Sequence, residues 1–217
     1  QQRLFLEESW KALEDAGYAH RQIKEIKCGV FVGVEQGDYG QGHEITSFSA
    51  TANTPSILAG RISYFLDLKG PNMAIDTACS SSLVAVHQAC QSILTRESDM
   101  VIAGGVSIYT TPMIQIVCSK NGMLSVDGRC KTFDDSANGI VLGEGVGVVI
   151  LKPLSKAQAD GDHIYGVIKG TGINQDGRTK GITVPSGLSQ TALELEVYKR
   201  SGVDPSDITL VEGHGTG

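Results

Sequence analysis

The run Ile75-Asp76-Thr77-Ala78-Cys79-Ser80-Ser81-Ser82-Leu83 places a thiol where an extended apolar pattern gives way to a helical one. A cysteine at such a junction lies beside helix N–H groups that have no intrahelical acceptor and that form the positive end of the helix dipole, a setting that favours thiolate over thiol. Ala78 and the serines are small enough to let a ligand approach, and the hydroxyls can satisfy exposed backbone groups. The chemistry this allows is nucleophilic. The other reading of the same residues is a capped helix start with a cysteine buried as a small hydrophobe. A second run, Val211-Glu212-Gly213-His214-Gly215-Thr216-Gly217, carries a histidine from a strand into a loop of glycines, where backbone and ligand can come close. Taken alone, it reads equally as a turn.

Both runs need elements to hold them. Residues 72–77 read as a strand leading directly into a helix over 79–94, with Leu83, Val86, His87, Cys90 and Leu94 on one face. Upstream, Leu4, Phe5, Leu6, Trp10, Leu13 and Ala16 form the stripe of an amphipathic helix stopped by Gly17. A strand over 28–34 and a helix opened by Pro55 follow. Downstream come a buried strand over 100–109, a long irregular stretch, and a strand over about 141–151. The pattern restarts with a strand over 164–173, a polar loop, a helix over about 189–201 and a strand over 208–212. Alternation of helix and strand argues for the α/β class. A second half begins near residue 160, and with no flexible linker between the halves the chain reads as one compact unit.

Of 217 residues, 41% are hydrophobic and 19% charged, enough to fill a core and too apolar for a disordered chain. Eighteen Lys+Arg against 24 Asp+Glu, a formal net charge of −6, leave no overall basic field for nucleic acid or an anionic membrane. No apolar run reaches the roughly 18 residues of a membrane span, and the charged first helix is no secretory signal. Five cysteines without a CxxC pair fit neither a disulfide framework nor a zinc site, so we expect free thiols, no metal and a cytoplasmic location.

Other residues invite and resist chemical readings. Cys90 lies eleven positions after Cys79, roughly 16 Å along a helix axis, too far for a disulfide. His87, two turns into the same helix, reads as a satisfied buried histidine, and Cys28, Cys118 and Cys130 read as packing or free thiols. Gly143-Glu144-Gly145-Val146-Gly147 runs into a strand rather than a helix, which disfavours a phosphate loop. Asp134, Asp135 and Glu144 are expected to cap turns or to pair with Lys131 and Arg129.

The combined motifs resemble a known family. GRISYFLDLKGPNMAIDTACSSSLVAVHQACQSI is similar to the nucleophile region, DGRCKTFDDSANGIVLGEGVGVVILK to the following glycine-rich region, and VEGHGTG to the first catalytic-histidine motif of β-ketoacyl synthase (ketosynthase) domains of modular type I polyketide synthases, in the thiolase superfamily. GINQDGRTKGITVPSG resembles the segment that lines the pantetheine approach in that family. The resemblance implies a thiolase-like layered α/β/α/β/α fold, with residues 1–155 as a nearly complete first half, residues 160–217 as the start of a truncated second half, and a homodimer in the intact domain. It implies a central piece of such a domain, inactive by itself, with the second catalytic histidine beyond it.

The same resemblance assigns Cys79 as the nucleophile that takes an acyl chain from an acyl carrier protein. His214 becomes one of two histidines that assist decarboxylation of a malonyl-type extender, and Thr183 and Thr216 become residues that hydrogen-bond the carrier's phosphopantetheine arm; no cofactor is expected to bind directly. Decarboxylative Claisen condensation in chain elongation is the function implied. A rival is a non-elongating module that only transfers acyl chains or docks carrier protein, against which the presence of His214 argues. A cysteine or serine hydrolase is disfavoured because no GxSxG elbow exists.

Overall fold

The computed structural model describes residues 1–18, 20–40 and 44–216. They fold into two compact units, Gln1–Pro153 with Gly213–Gly217, and Leu154–Glu212. In chain order the first contains α1 (Gln2–Asp15), α2 (His20–Ile23), β1 (Cys28–Gly33), α3 (Ser49–Asn53), α4 (Pro55–Leu66), β2 (Asn72–Ile75), α5 (Ser81–Leu94), β3 (Met100–Ser107), α6 (Met113–Lys120) and β4 (Gly145–Leu151). The second contains α7 (Leu154–Asp160), α8 (Gly187–Ser201) and a 3₁₀ turn, Pro205–Asp207.

The four strands of the first unit form one sheet in the order β2-β1-β3-β4. β1 lies parallel to both β2 and β3, while β4 returns antiparallel to β3. Successive strand residues face opposite sides, so each strand supplies two different cores. Cys28, Val30 and Val32 of β1 and Met100, Ile102 and Val106 of β3 pack with Phe5 and Leu13 of α1 and Leu58, Ile62 and Leu66 of α4. Phe31, Val101 and Ala103 face the other way, against Ala85 and Ala89 of α5. The result is three layers, α1 and α4 on one side of the sheet and α5 on the other. At about 1.5–3 kcal/mol for each large side chain buried, the larger cluster dominates the driving force for this unit.

Local chemistry sets the helix ends. α4 starts at Pro55, whose missing N–H is no loss at a helix start, and ends at Asp67 in the left-handed conformation, φ 55°. α5 differs from its expected form in two ways. Its first helical residue is Ser81 rather than Cys79, with Ser80 at the N-cap. Its buried stripe is Ser81, Ala85, Ala89 and Ser92, whereas Leu83 and Leu94 are 75% and 74% exposed. The small residues take the sheet-facing side because α5 comes close to the sheet: Gly33 and Gly105 lie under its first turn, and Phe31 and Val101 fill the space against Ala85 and Ala89, which leaves no room for bulky helix side chains. The irregular stretch after β3 also holds α6, a helix of eight residues that the sequence pattern did not single out.

In the second unit, α8 is capped by Ser186, whose Oγ accepts from the Ser189 N–H at 3.2 Å, and ends at Gly202 with φ 64°. The segments expected as strands over 164–173 and 208–212 are not strands: among the described residues of this unit no neighbouring strand offers a ladder of acceptors. Residues 170–172 instead lie against α8, where a methyl on Gly172 would come 2.5 Å from Val197 Cγ2. Residues 213–217, which the sequence pattern assigns to the later half, group with the first unit because Thr132 Oγ1 donates to the Gly215 carbonyl at 2.5 Å.

Candidate active site

Cys79 sits in the turn between β2 and α5 and is exposed. Hydroxyls tie that turn together. Ser81 Oγ accepts from the Thr77 N–H at 2.8 Å and donates to the Ala78 carbonyl at 2.6 Å, and Ser80 Oγ donates to the Thr77 carbonyl at 2.9 Å. Asp76 Oδ1 accepts from the Ala78 N–H at 3.1 Å. Ala78 itself has φ 54°, a left-handed backbone that costs an alanine roughly 1–2 kcal/mol. The serine run is thus the brace of the turn, and the strained residue directly before Cys79 throws the thiol outward.

Beneath the turn, the sheet has been emptied of side chains. A methyl on Gly33, the last residue of β1, would come 2.4 Å from the Ser82 nitrogen, and one on Gly105 of β3 would come 2.7 Å from Ser82 Cβ. Both positions face α5, in step with Phe31 and Ala103, so the alternation of the strands delivers two glycines under the first turn of the helix. These glycines seat the start of α5 and with it Cys79. The only signal for them in the sequence is their spacing from Phe31 and Ala103, and it becomes meaningful once β1 and β3 are known to be neighbours.

A cleft of about 460 Å³ opens beside the thiol, lined by Gly33, Val34, Cys79, Leu83, Val86 and Val149 among others. Its walls are mostly apolar, suited to a hydrocarbon chain attached at the sulfur. Ser107 and Tyr109 form one edge of it, and two carboxylates anchor the backbone there. Asp38 accepts four hydrogen bonds, from the N–H and hydroxyl of Thr110 at 2.9 and 2.6 Å and from those of Thr111 at 2.8 and 2.6 Å. Those donors, the two hydroxyls foremost, hold the Asp38 carboxyl well below the usual carboxylate range. Glu144 Oε1 accepts from the Tyr109 N–H at 2.7 Å. Asp38 was missed by sequence reasoning, since nothing in its vicinity marks it. Glu144 was expected to cap a turn or to pair with Lys131 or Arg129; Lys131 pairs with Asp127 at 2.6 Å. Asp134 caps a turn as expected, accepting from the Ser136 N–H at 2.7 Å.

The other thiols are differently placed. Burial pushes the Cys28 thiol up to about 12 and that of Cys90 up as well. Cys118 is buried, and Cys130 is exposed with the Val141 N–H donating to its sulfur at 3.1 Å. His87 is half-buried on α5. Gly145 and Gly147 enter β4, in keeping with the rejection of a phosphate loop.

His214 is exposed and belongs to the same unit as Cys79, though it is not among the residues lining the cleft. Both its neighbours lie near the loop at 132–133: a methyl on Gly213 would come 3.3 Å from Phe133 Cζ, and one on Gly215, φ 53°, would come 2.4 Å from Thr132 Cγ2. Thr216 is exposed in the same segment. Thr183 is exposed in the second unit, next to a turn closed by the Val184 N–H donating to the Gly181 carbonyl at 2.9 Å. Among the described residues no group of three His, Cys, Asp or Glu could hold a metal ion, and no helix is long and apolar enough to cross a membrane.

Residues 1–157 match the family Beta-ketoacyl synthase, N-terminal domain, and residues 165–217 match Beta-ketoacyl synthase, C-terminal domain. Polyketide synthase PksL of Bacillus subtilis is 53% identical over the whole chain, which covers 5% of that protein. Polyketide synthase PksM of the same organism is 50% identical over the whole chain, again with 5% of its length covered. Among solved structures, the ketosynthase from module 6 of the bacillaene synthase of Bacillus subtilis is 52% identical with a TM-score of 0.94, the chain covering 37% of it. An oxazolomycin ketosynthase domain from Streptomyces albus is 39% identical, with a TM-score of 0.93 and 40% covered. The fold is accordingly thiolase-like, as the sequence motifs imply.

Proposed function

Because this chain belongs to the β-ketoacyl synthase family, we propose that it serves polyketide chain elongation by decarboxylative Claisen condensation between an acyl group on Cys79 and a malonyl-type unit on acyl carrier protein. The observation that carries this reading is the exposed thiol of Cys79, lifted by a left-handed Ala78 and opening on an apolar cleft.

In the first step the Cys79 thiolate attacks the carbonyl carbon of an acyl thioester on the carrier's phosphopantetheine arm. The tetrahedral intermediate collapses, the C–S bond to pantetheine breaks, and the carrier thiolate leaves and takes up a proton, so that the acyl group stays on Cys79. The N–H of Cys79, at the approach to α5, donates to the developing oxyanion. The apolar cleft takes the acyl chain. In the second step a malonyl thioester loses carbon dioxide; the electron pair of the broken C–C bond becomes an enolate, whose oxygen accepts a hydrogen bond from the His214 imidazole. The enolate carbon then attacks the acyl carbonyl on Cys79, the Cys79 thiolate leaves, and a β-ketoacyl chain two carbons longer remains on the carrier. Thr183 and Thr216, both exposed hydroxyls, hydrogen-bond the phosphopantetheine arm.

We assign residues 1–155 to the half that bears the nucleophile and residues 160–217 to the opening of the second half. Two copies pair across β2, the edge strand that leads to Cys79 and presents Met73 at 46% exposure. The free thiols suit a reducing cytoplasm. The chain transfers acyl groups and condenses them, rather than only transferring them, because His214 has no task in transfer alone.

The test is site of acylation. The full-length protein is treated with an acyl-pantetheine thioester and its tryptic peptides are weighed. Label on Cys79 alone is the expected result; label on Cys90 or Cys130 with none on Cys79 would overturn the assignment.

A further inference from the structure

We propose that Thr132 and Phe133 are positioning residues for His214, a platform that sets the direction in which its imidazole donates. The inference rests on the ketosynthase reading and adds to it two residues that touch no substrate. The histidine lies in Glu212-Gly213-His214-Gly215-Thr216-Gly217, where every second residue is glycine. Glycine gives backbone freedom and no side chain to pack, so this segment has little of its own to hold an imidazole in one orientation. A hydrogen-bond donor that acts on a developing charge must be aimed beforehand, and misplacement by about 1 Å is costly. The aim has to come from outside the segment.

The 132–133 loop supplies it on both flanks of the histidine. Thr132 Oγ1 donates to the Gly215 carbonyl at 2.5 Å. The Phe133 ring lies against Gly213 and Gly215 together, 3.3 and 3.4 Å from where their methyls would be. Phe133 holds φ 63°, a left-handed conformation that is a true outlier for a bulky residue, and the residue remains 89% exposed, so burial does not explain the strain. What the strained backbone achieves is to set the ring beside the two neighbours of His214. The platform is itself braced. Lys131 pairs with Asp127 at 2.6 Å, Asp134 Oδ1 accepts from the Ser136 N–H and hydroxyl at 2.7 and 2.6 Å, and Ser125 Oγ donates to Asn138 Oδ1 at 2.8 Å. Gly215 cannot be replaced without moving Thr132, since a methyl there would meet Thr132 Cγ2 at 2.4 Å.

The experiment separates the two half-reactions in the full-length protein, measuring acylation of Cys79 by an acyl-pantetheine thioester and carbon dioxide release from malonyl carrier protein. Thr132→Val keeps the shape and removes the donor. It is expected to leave acylation within about twofold and to lower kcat for decarboxylation about tenfold with KM for the malonyl carrier unchanged, while Thr132→Ser restores kcat to within about threefold. Phe133→Leu, which keeps an apolar side chain and loses the ring, is expected to lower the same kcat by a smaller factor. Acylation reports that each variant is folded. Equal losses in both half-reactions, or no loss in decarboxylation while His214→Ala abolishes it, would overturn the platform and leave the ketosynthase reading intact. Decarboxylation that survives His214→Ala would instead overturn that reading, and the platform with it.

Discussion

The exposure of Cys79 is set by what surrounds it at distances shorter than a side chain. Ala78 spends strain to turn the thiol outward, Ser80 and Ser81 close the turn, and Gly33 and Gly105 let the helix start settle on the sheet. The serine brace was legible, since hydroxyls beside a helix start have few other uses. The glycines were not, because their role depends on a neighbour, Ser82, more than twenty positions away in the chain. Gly33→Ala forces a methyl to within 2.4 Å of the Ser82 nitrogen, so the helix start must move. We expect a stability loss of about 1–3 kcal/mol in urea unfolding, together with a fall in Cys79 acylation larger than the unfolded fraction accounts for. Unchanged acylation in a folded Gly33→Ala protein would mean that the seat is irrelevant to the thiol. Ala78→Gly, which removes the left-handed penalty at the same place, is expected to raise the unfolding midpoint slightly or leave it unchanged.

Among the elements, α5 carries the clearest lesson. Its apolar periodicity is real, yet the face with the large residues points away from the sheet and the face with Ser81, Ala85, Ala89 and Ser92 points in. Hydrophobicity alone selects the wrong side when the partner surface already supplies the bulk, here Phe31 and Val101, and the helix must come close to it. Leu83 then becomes cleft wall rather than core, while Val86 both lines the cleft and packs against the core. The end of β3 shows the opposite failure, an element fixed by a polar group with no sequence signal. Asp38 ties Thr110 and Thr111 with four hydrogen bonds that require its carboxylate, so its folded-state pKa lies below its unfolded value of about 3.9. A depressed carboxyl contributes stability that is present above the unfolded pKa and disappears as pH falls through the folded one. Urea midpoints of wild type and Asp38→Asn should therefore differ at pH 7 and converge as the pH is lowered below about 4. A gap that stays constant with pH would show that the charge of Asp38 plays no part. The glycine frame around His214 was visible in the sequence, while the attachment of Gly215 to the 132–133 loop was hidden by a separation of 83 positions.

At the scale of the whole molecule the two units differ in kind. The first encloses a sheet between helices; in the second, α8 has no buried residue and Ile182, Leu188, Leu210 and Val211 are each more than three-quarters exposed. The strands expected over 164–173 and 208–212 carry the right residue types, and what they lack here is neighbours, which no reading of their own residues could reveal. For these 217 residues alone, amide exchange is expected to be slowest over 100–106 and fast throughout 164–173 and 208–212. Protection in those two segments equal to that of β3 would contradict this picture. The same exposure leads us to expect that the 217 residues alone do not condense acyl and malonyl units. The claim on which everything else depends is the division of labour between Cys79 and His214, and one pair of variants of the full-length protein measures it. Acyl loading and carbon dioxide release are followed side by side in Cys79→Ala and His214→Ala. The account predicts no loading in the first, and in the second loading within about threefold of wild type with decarboxylation reduced at least a hundredfold. Loading that persists without Cys79, or decarboxylation that persists without His214, would contradict it.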